Sequence, residues 1–379
     1  MIRRHQLVAA AARLAVGLCI SFVTINGAMA ADPIVIGVAG PMSGDLSRFG
    51  QQMQQGAERA VADINAKGGV LGHPIKLVTG DDRCAPEHAS AAAQDLVDAG
   101  VVFVVGHFCS GSSIPASKVY HGSGVLQITP ASSNGRLTDE AAEAGWDNVF
   151  RVYGRDDGNA AFAGSWIAMN FKDRRIAVVT DGSTLSTIQS LAAREAMAKE
   201  GIKPVLEDSI ATGMSGYPDL VGDLKAKSIG LLYFTGYHPE AAVIMREIVA
   251  SGLPIQLVGS DTLNDDEFIA AAGALAEGVK FSAEADATQL PMAQALVAEF
   301  QSAGIAPTDY TIRTYAAVRL WADAAAKAGS TDGEKIASLL HQGTWNTVLG
   351  SLAFDSKGDP VTPQYAIYSV TNGKIVESK

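Results

Sequence analysis

The chain has 379 residues, of which 47% are hydrophobic and 18% charged, and it carries a formal net charge of −11. A chain of this length exceeds what one hydrophobic core usually supports, so we expect two domains. The acidic balance argues against a nucleic-acid partner, which would require a basic surface.

The first thirty residues predict a secretory signal peptide. Three arginines lie within the first 13 residues, an apolar segment follows at residues 14–23, and Ala28-Met29-Ala30 is a typical cleavage pattern. The apolar segment is too short to favour a transmembrane helix, and Cys19 lacks the small preceding residue of a lipid-attachment site. We therefore expect export to the periplasm after cleavage near Ala30. Loss of the three arginines leaves 26 basic against 40 acidic residues, a net charge of −14.

The rest of the chain alternates short apolar runs with helical segments. Strands are expected at residues 34–38, 75–79, 101–105 and 125–128, and, after a restart near Phe150, at residues 175–180, 205–208, 229–234 and 255–258. Strands that alternate with helices of this length form right-handed βαβ units and parallel sheets. The sequence therefore predicts an α/β fold of two doubly wound parallel-sheet lobes, which we expect three crossovers to join.

The C-terminal third departs from this rhythm. It predicts long helices at residues 292–303, 310–328 and 334–341, and then two strands, 345–354 and 364–370, paired around a turn at 355–358. We expect an N-terminal lobe of residues 31–151 plus about 283–356, and a C-terminal lobe of residues 152–282 plus about 357–379. In such folds ligands bind outside the carboxyl ends of the strands.

A run rich in glycine and serine follows the predicted strand 101–105. The pattern predicts a helix over residues 114–120, capped by Ser112 or Ser113, with Pro115 in its first turn. Backbone N–H groups and serine hydroxyls would then face the end of the strand, where they suit a carboxylate or a phosphate. Taken alone, this stretch is better explained by an ordinary turn with a serine cap, because such caps are common.

Other polar and aromatic residues also follow predicted strands. Ser110 and Ser133 follow two neighbouring strands of the first lobe, and Asp181, Tyr237 and Asp261 follow strands of the second. Hydroxyl groups suit a carboxylate, an acid suits an ammonium group, and an aromatic ring covers an apolar stem. An α-amino acid has this charge pattern. A purely structural explanation is the alternative: Asp261 would cap a helix, and the Tyr237 ring would pack against neighbouring residues.

Signals for catalysis and metal binding are weak. The chain has no G-x-S-x-G elbow, no H-E-x-x-H and no P-loop. His107 lies close to Ser110 in sequence, but a structural histidine explains it better than a catalytic base. The remaining histidines show no metal-ligand spacing. We therefore expect no catalytic residue, no metal and no cofactor.

The mature chain keeps two cysteines, Cys84 and Cys109. An even pair in an exported chain favours a disulfide, and two free thiols are the alternative. Closing this loop would stabilise the fold by roughly 3 kcal/mol on the chain-entropy model.

Several motifs together carry a family resemblance. They are Met42-Ser43-Gly44 with Phe49-Gly50, Ala62 to Gly69, Asp81-Asp82 before Cys84, Gly106-His107 through Cys109-Ser110, Ile128 to Ala131, Gly236 to Glu240, and Thr314 to Ala317. Over nearly all of residues 32–360 the chain resembles the leucine/isoleucine/valine-binding proteins. These are the type I periplasmic binding proteins of branched-chain amino-acid ABC transporters.

The resemblance implies a set of ligand-binding residues, and it again implies the disulfide. The hydroxyls of Ser110 and Ser133 would receive a ligand carboxylate. The carbonyl of Ala131, with Ser133 and Asp261, would receive the ammonium group, and Tyr237 would cover the ligand from the second lobe. The resemblance also implies a membrane permease as partner and a two-lobe protein that acts as a monomer.

The predicted side-chain pocket departs from the family pattern. Phe49 and Phe108 would shape it, but Phe108 is bulkier than the leucine that suits a leucine ligand, and Tyr310 would narrow the same wall. Leu185 stands where the family often has tyrosine, and Asp261 stands where the branched-chain binders carry glutamate. Small neutral amino acids, proline or γ-aminobutyrate are therefore candidate ligands beside the branched-chain ones, and so is an aromatic acid.

The sequence thus predicts a non-catalytic solute-binding component of an ABC importer. A ligand-sensing protein of the same fold and an enzyme that uses Ser110 or Ser133 are the alternatives.

Overall fold

A computed structural model describes residues 31–44, 46–264 and 266–378 of the chain. The predicted signal peptide, residues 1–30, lies outside the described residues. In the three described ranges, no helix is both long enough and apolar enough to cross a membrane.

The described chain alternates strands and helices from its start. The strands are β1 (Ile34–Gly40), β2 (Ile75–Asp81), β3 (Phe103–Gly106), β4 (Leu126–Thr129), β5 (Val149–Arg151), β6 (Ile176–Thr180), β7 (Leu206–Ser209), β8 (Leu231–Thr235), β9 (Gln256–Gly259), β10 (Lys280–Glu284), β11 (Thr344–Thr347), β12 (Gly350–Ala353), β13 (Tyr365–Thr371) and β14 (Lys374–Glu377). The helices are α1 (Ser47–Asn65), α2 (Pro86–Asp98), α3 (Ser110–Gly122), α4 (Arg136–Glu143), α5 (Asp156–Asn170), α6 (Thr184–Lys199), α7 (Pro218–Ala226), α8 (His238–Ala250), α9 (Asp266–Ala272), α10 (Gln294–Ser302), α11 (Asp309–Ala328) and α12 (Gly333–Gln342).

The first lobe is built on a five-stranded sheet in the order β2-β1-β3-β4-β5, and every pairing in it is parallel. Its central strands β3 and β4 are short and buried on both faces, as parallel strands between helices must be. Helix α11 supplies much of the core on one face, where the ring of Trp321 stacks on Phe103 with centroids 5.0 Å apart.

The second lobe is built on a seven-stranded sheet in the order β14-β13-β10-β9-β8-β6-β7. Strands β6 to β10 pair in parallel, while β13 and β14 add an antiparallel edge. The chain passes between the two sheets three times: after β5, after β10 and after β12. This architecture agrees with the expected α/β fold of two doubly wound lobes.

The helix after β3 begins earlier than predicted. Helix α3 starts at Ser110, directly after Cys109, and neither Ser112 nor Ser113 caps it. Both serines are buried inside the helix, and Pro115 lies in its interior rather than in its first turn. The prediction was wrong because Ser113 has a tertiary partner: its hydroxyl hydrogen-bonds that of Ser132 at 2.6 Å.

The predicted pairing of residues 345–354 with 364–370 was also wrong. Residues 344–353 form their own hairpin, β11 with β12. Strand β13 instead pairs with β10 and β14 of the second sheet. The predicted turn at residues 355–358 is present and is closed by an antiparallel bridge between Phe354 and Pro360, but the segment between β12 and β13 then crosses to the second lobe.

The predicted disulfide between Cys84 and Cys109 is confirmed, with Cα atoms 5.4 Å apart. It joins the loop after β2 to the residue that precedes α3. The backbone N–H of Cys84 donates to the Asp82 carboxylate at 2.7 Å, which fixes the same loop from the other side.

Candidate functional site

Two loops at the carboxyl ends of β3 and β4 lie against each other in the first lobe. The backbone N–H of Asn134 donates to the hydroxyl of Ser110 at 3.2 Å, and the Ser132 hydroxyl donates to the carbonyl of Phe108 at 3.0 Å. Because β3 and β4 are neighbours in the sheet, residues 24 positions apart in sequence meet here. Both Ser110 and Ser133 are half-buried.

The second of these loops, residues 130–135, is held by Thr129. The Thr129 hydroxyl donates to the carbonyl of His107 at 2.7 Å and accepts the backbone N–H of Ser132 at 2.9 Å. It also accepts the N–H of Ala131 at 3.2 Å. The backbone of this loop is thereby ordered without the side chain of Ser133, whose hydroxyl instead hydrogen-bonds the buried carboxyl group of Asp156.

The second lobe presents Asp261 directly after β9. Its carboxylate accepts a hydrogen bond from the Gln189 amide of α6 at 2.9 Å. Burial, together with the negative charge of Asp156, raises the pKa of Asp261 to about 7. Within the described part of the chain, no cation is among the groups that set this pKa.

Two further predicted residues of the second lobe lie near the ends of its strands. Tyr237 follows β8, and 45% of its surface is exposed. Burial of its hydroxyl and the nearby charge of Asp181 raise the pKa of Tyr237. Leu185 is half-buried in the first turn of α6, beside Ser186, whose hydroxyl donates to Asp181 at 2.5 Å.

Aromatic rings form a continuous wall on the first-lobe side. The rings of Phe49 and Phe108 stack with centroids 4.5 Å apart, and Tyr310 packs edge-on against both. The ring of Tyr153 lies 6.3 Å from that of Tyr310. Phe49, Tyr153 and Tyr310 also line an open cleft of about 880 Å³, which second-lobe residues such as Tyr368 close from the other side.

The surroundings of His107 bear on catalysis. The side chain is fully buried, its Nδ1 contacts the Asp82 carboxylate at 2.6 Å, and its Nε2 contacts the Tyr120 hydroxyl at 2.9 Å. Both ring nitrogens are thus engaged away from Ser110. Among the described residues, no group of three or more His, Cys, Asp or Glu side chains could hold a metal ion.

Comparison with known proteins identifies the family. The model of the periplasmic binding protein family matches residues 33–374. The chain belongs to the periplasmic binding protein family. An amino acid binding protein of Pseudomonas aeruginosa is 38% identical to this periplasmic binding protein over 338 residues. The match covers 88% of this chain and 89% of that protein. A Leu/Ile/Val-binding protein homolog of Brucella melitensis is 35% identical over 358 residues, 94% and 95% of the two chains.

A solved structure supports the same family and fold. The ABC transporter substrate-binding protein of Desulfitobacterium hafniense, in complex with Leu, has a TM-score of 0.76 and 27% identity, and the match covers 92% of this chain and 100% of that one. The predicted fold class, the periplasmic binding protein type I fold, is thereby confirmed.

In this periplasmic binding protein, acids of the second lobe influence the pKa values of tyrosines in both lobes. The negative charge of Asp261 in the second lobe contributes to the raised pKa of Tyr310 in the first. The charges of both Asp261 and Asp156 contribute to the raised pKa of Tyr237. Tyr310, Tyr237 and the two acids are therefore close enough to influence one another electrostatically.

Three residues of this periplasmic binding protein's site were missed. Asp156 begins α5 and is buried, its backbone N–H donates to the carbonyl of Ser133 at 3.0 Å, and burial raises the pKa of its carboxyl group. Gln189 is buried in the middle of α6, and Tyr153 lies on the crossover after β5. Only Asp156 had a sequence signal, an acid at a helix start. The other two have none.

Proposed function

We propose that this protein is the periplasmic solute-binding component of an ABC importer and that it captures a neutral amino acid between its lobes. The observation that supports the proposal is that Asp156 links the two kinds of group, because it hydrogen-bonds the Ser133 side chain of the first lobe and its charge raises the pKa of Asp261 in the second. We take the hydroxyl-bearing loops and the Asp261 carboxylate to face one ligand. Such a pair complements a zwitterion.

Each end of the ligand has a candidate receptor. The hydroxyls of Ser110 and Ser133, with N–H groups at the start of α3, suit the carboxylate, because a helix N-terminus favours an anion. The carbonyl of Ala131 and the carboxylate of Asp261 suit the ammonium group. Tyr237 would cover the bound ligand from the second lobe.

The aromatic wall favours a small or branched ligand side chain. Phe49, Phe108 and Tyr310 already contact one another, so they leave little space between them for an extended apolar chain. The leucine/isoleucine/valine-binding name of the Brucella relative supports this ligand class. Alanine, proline and γ-aminobutyrate are candidates beside the branched-chain amino acids.

Delivery to a membrane permease requires only that the ligand stabilises the closed form more than the open form. We propose that the protein acts as a monomer after removal of residues 1–30. A catalytic role for Ser110 lacks support, because His107 is bonded to Asp82 and Tyr120 and no other base is placed beside the hydroxyl by the contacts described above.

Calorimetry on the mature protein tests the proposal. The protein is unfolded and refolded to remove bound ligand, and then titrated with leucine, valine, alanine, proline, γ-aminobutyrate, glutamate, phenylalanine and 4-hydroxybenzoate. We expect tight binding of at least one neutral amino acid. Binding of 4-hydroxybenzoate alone would exclude the amino-acid assignment and give Asp261 another role.

A further inference from the structure

A buried arginine holds the loop that carries Ser133. Arg151, the last residue of β5, is fully buried. One of its terminal nitrogens donates to the carbonyl of Ser132 at 2.7 Å and the other to the carbonyl of Asn134 at 3.1 Å. These two carbonyls flank Ser133 on both sides, so the guanidinium group fixes the backbone from which that hydroxyl projects.

The remaining donors of Arg151 reach the Thr138 hydroxyl of α4, at 2.9 Å, and the crossover between β12 and β13. Its Nε donates to the carboxylate of Asp359 at 2.6 Å, and Thr138 donates to the same carboxylate at 2.9 Å. The approach is close enough to require glycine at position 358. There φ is +92°, and a Cβ atom would lie 2.0 Å from the carbonyl oxygen of Val149.

A second arginine extends this cluster to the other lobe. Arg155, on the crossover after β5, donates to Asp359 at 2.9 Å. It also donates two hydrogen bonds to Asp139 of first-lobe helix α4 and two to Asp157 of second-lobe helix α5, all of 2.8–3.0 Å. One connected set of charges therefore joins the Ser133 loop, two of the three crossovers and a helix of each lobe.

A buried charge is costly unless every donor is used. Arg151 donates to main-chain carbonyls of one loop, to the Thr138 hydroxyl and to one crossover acid, a geometry that a planar guanidinium provides and a lysine does not. We propose that Arg151 is a positioning residue that sets the affinity for ligand by fixing the backbone around Ser133. This proposal rests on the proposed function, because it takes the Ser133 loop to contact the ligand.

The Arg151→Lys variant tests the proposal, because it keeps the charge beside Asp359 and loses the two-pronged contact with the loop. If R151K does not fold, Asp359→Asn replaces it in the same binding measurements, because this variant removes the charge that the Arg151 Nε contacts. Arg136→Gln is the matched control, since Arg136 bonds only Glu140 and Asn134 locally on an exposed face of α4. Thermal unfolding with and without ligand separates loss of folding from loss of binding.

The decisive readout is a double-mutant cycle measured by calorimetry with an amino acid that the wild-type protein binds. We expect R151K to lower the affinity at least tenfold in the wild-type background and by the same factor in the Asp261→Asn background. In the Ser133→Ala background the loss should be less than threefold, because the positioned hydroxyl is already gone. R136Q should leave the affinity unchanged.

Two kinds of failure are distinguishable. An equal loss from R151K in all three backgrounds, or no loss in the wild-type protein, would overturn the positioning role while leaving the amino-acid site intact. If the wild-type protein binds no amino acid, the proposed function itself is contradicted; if it binds one and neither S133A nor D261N changes that affinity, the assigned site is contradicted.

Discussion

Replacement of Asp261 by asparagine is the most informative single change in the second lobe. Asparagine has the same size and keeps an oxygen that can accept the Gln189 amide, which now lies 2.9 Å from the carboxylate. The substitution therefore removes the charge and little else. We expect the affinity for an amino acid to fall by about thirtyfold at pH 8.

The magnitude follows from the interaction that is lost. A carboxylate and an ammonium group at hydrogen-bond distance attract by about 5 kcal/mol at an effective dielectric constant near 20. Desolvation of both groups offsets most of this attraction, and hydrogen bonds to charged groups contribute roughly 1.5–3 kcal/mol net. A loss of about 2 kcal/mol corresponds to the thirtyfold change, since each 1.4 kcal/mol is a factor of ten.

Calorimetry at pH 8 measures this change with the best ligand of the panel and with the analogue that lacks its amino group. D261N should weaken the amino acid but not the analogue. Asp208→Asn, which alters an exposed second-lobe acid within β7, is the control. Equal affinities of D261N and the wild-type protein for the amino acid would refute the assignment of Asp261 to the ammonium group.

The same residue predicts a pH dependence. With a pKa of about 7 in the ligand-free protein, Asp261 is mostly ionised at pH 8 and mostly protonated at pH 6. Only the ionised form attracts an ammonium group, so the affinity should fall about tenfold between these values. The stability of the ligand-free protein should change in the opposite direction. Because this pKa lies above 3.8, the folded protein favours the neutral carboxyl group of Asp261. This contribution to stability is present at low pH and is lost as the pH rises through 7. A D261N profile as steep as the wild-type profile would contradict this account.

Three further changes test other parts of the structure. Replacing Cys84 and Cys109 by serine should lower the free energy of unfolding by roughly 3 kcal/mol in a denaturant titration, because the cross-link no longer restricts the unfolded chain. Tyr120→Phe should lower it by about 1 kcal/mol, because the buried 2.9 Å contact with His107 is lost, and should leave ligand affinity unchanged. Phe108→Leu should widen the aromatic wall and raise the ratio of leucine to alanine affinity about tenfold in calorimetry.

These three predictions have their own controls. An unchanged denaturation midpoint in the serine variant would contradict a stabilising disulfide. A Tyr120→Phe protein with weakened binding would show that the His107 contact extends to the site. Phe171→Leu, on the far side of the second lobe, should leave the leucine-to-alanine ratio unchanged, and an equal ratio in the Phe108 variant would remove that ring from the pocket wall.

Much of the fold was accessible from the sequence because its strands are short apolar runs between helices. The first four and the sixth to ninth strands are within two or three residues of the predictions. Strand β10 was missed because three of the five residues of Lys280–Glu284 are polar, so it lacks the continuous apolar run that marks the other strands. The C-terminal pairing was wrong because β13 finds its partners in the other lobe, which no local pattern records.

The candidate site was partly accessible for the same reason. Residues that follow strands, such as Ser110 and Asp261, are signalled by their place at the carboxyl end of a parallel sheet. Gln189 and Arg151 act through tertiary contacts with segments 72 and 19 residues away, and nothing near them in sequence predicts those contacts.

A crystal structure of the protein with its best amino-acid ligand tests the central claim most directly. The account predicts the ligand between the two lobes, with its carboxylate on the hydroxyls of Ser110 and Ser133. Its nitrogen should lie within hydrogen-bond distance of the Asp261 carboxylate and the Ala131 carbonyl. A ligand nitrogen that points away from Asp261, or a ligand bound outside the cleft, would contradict the account.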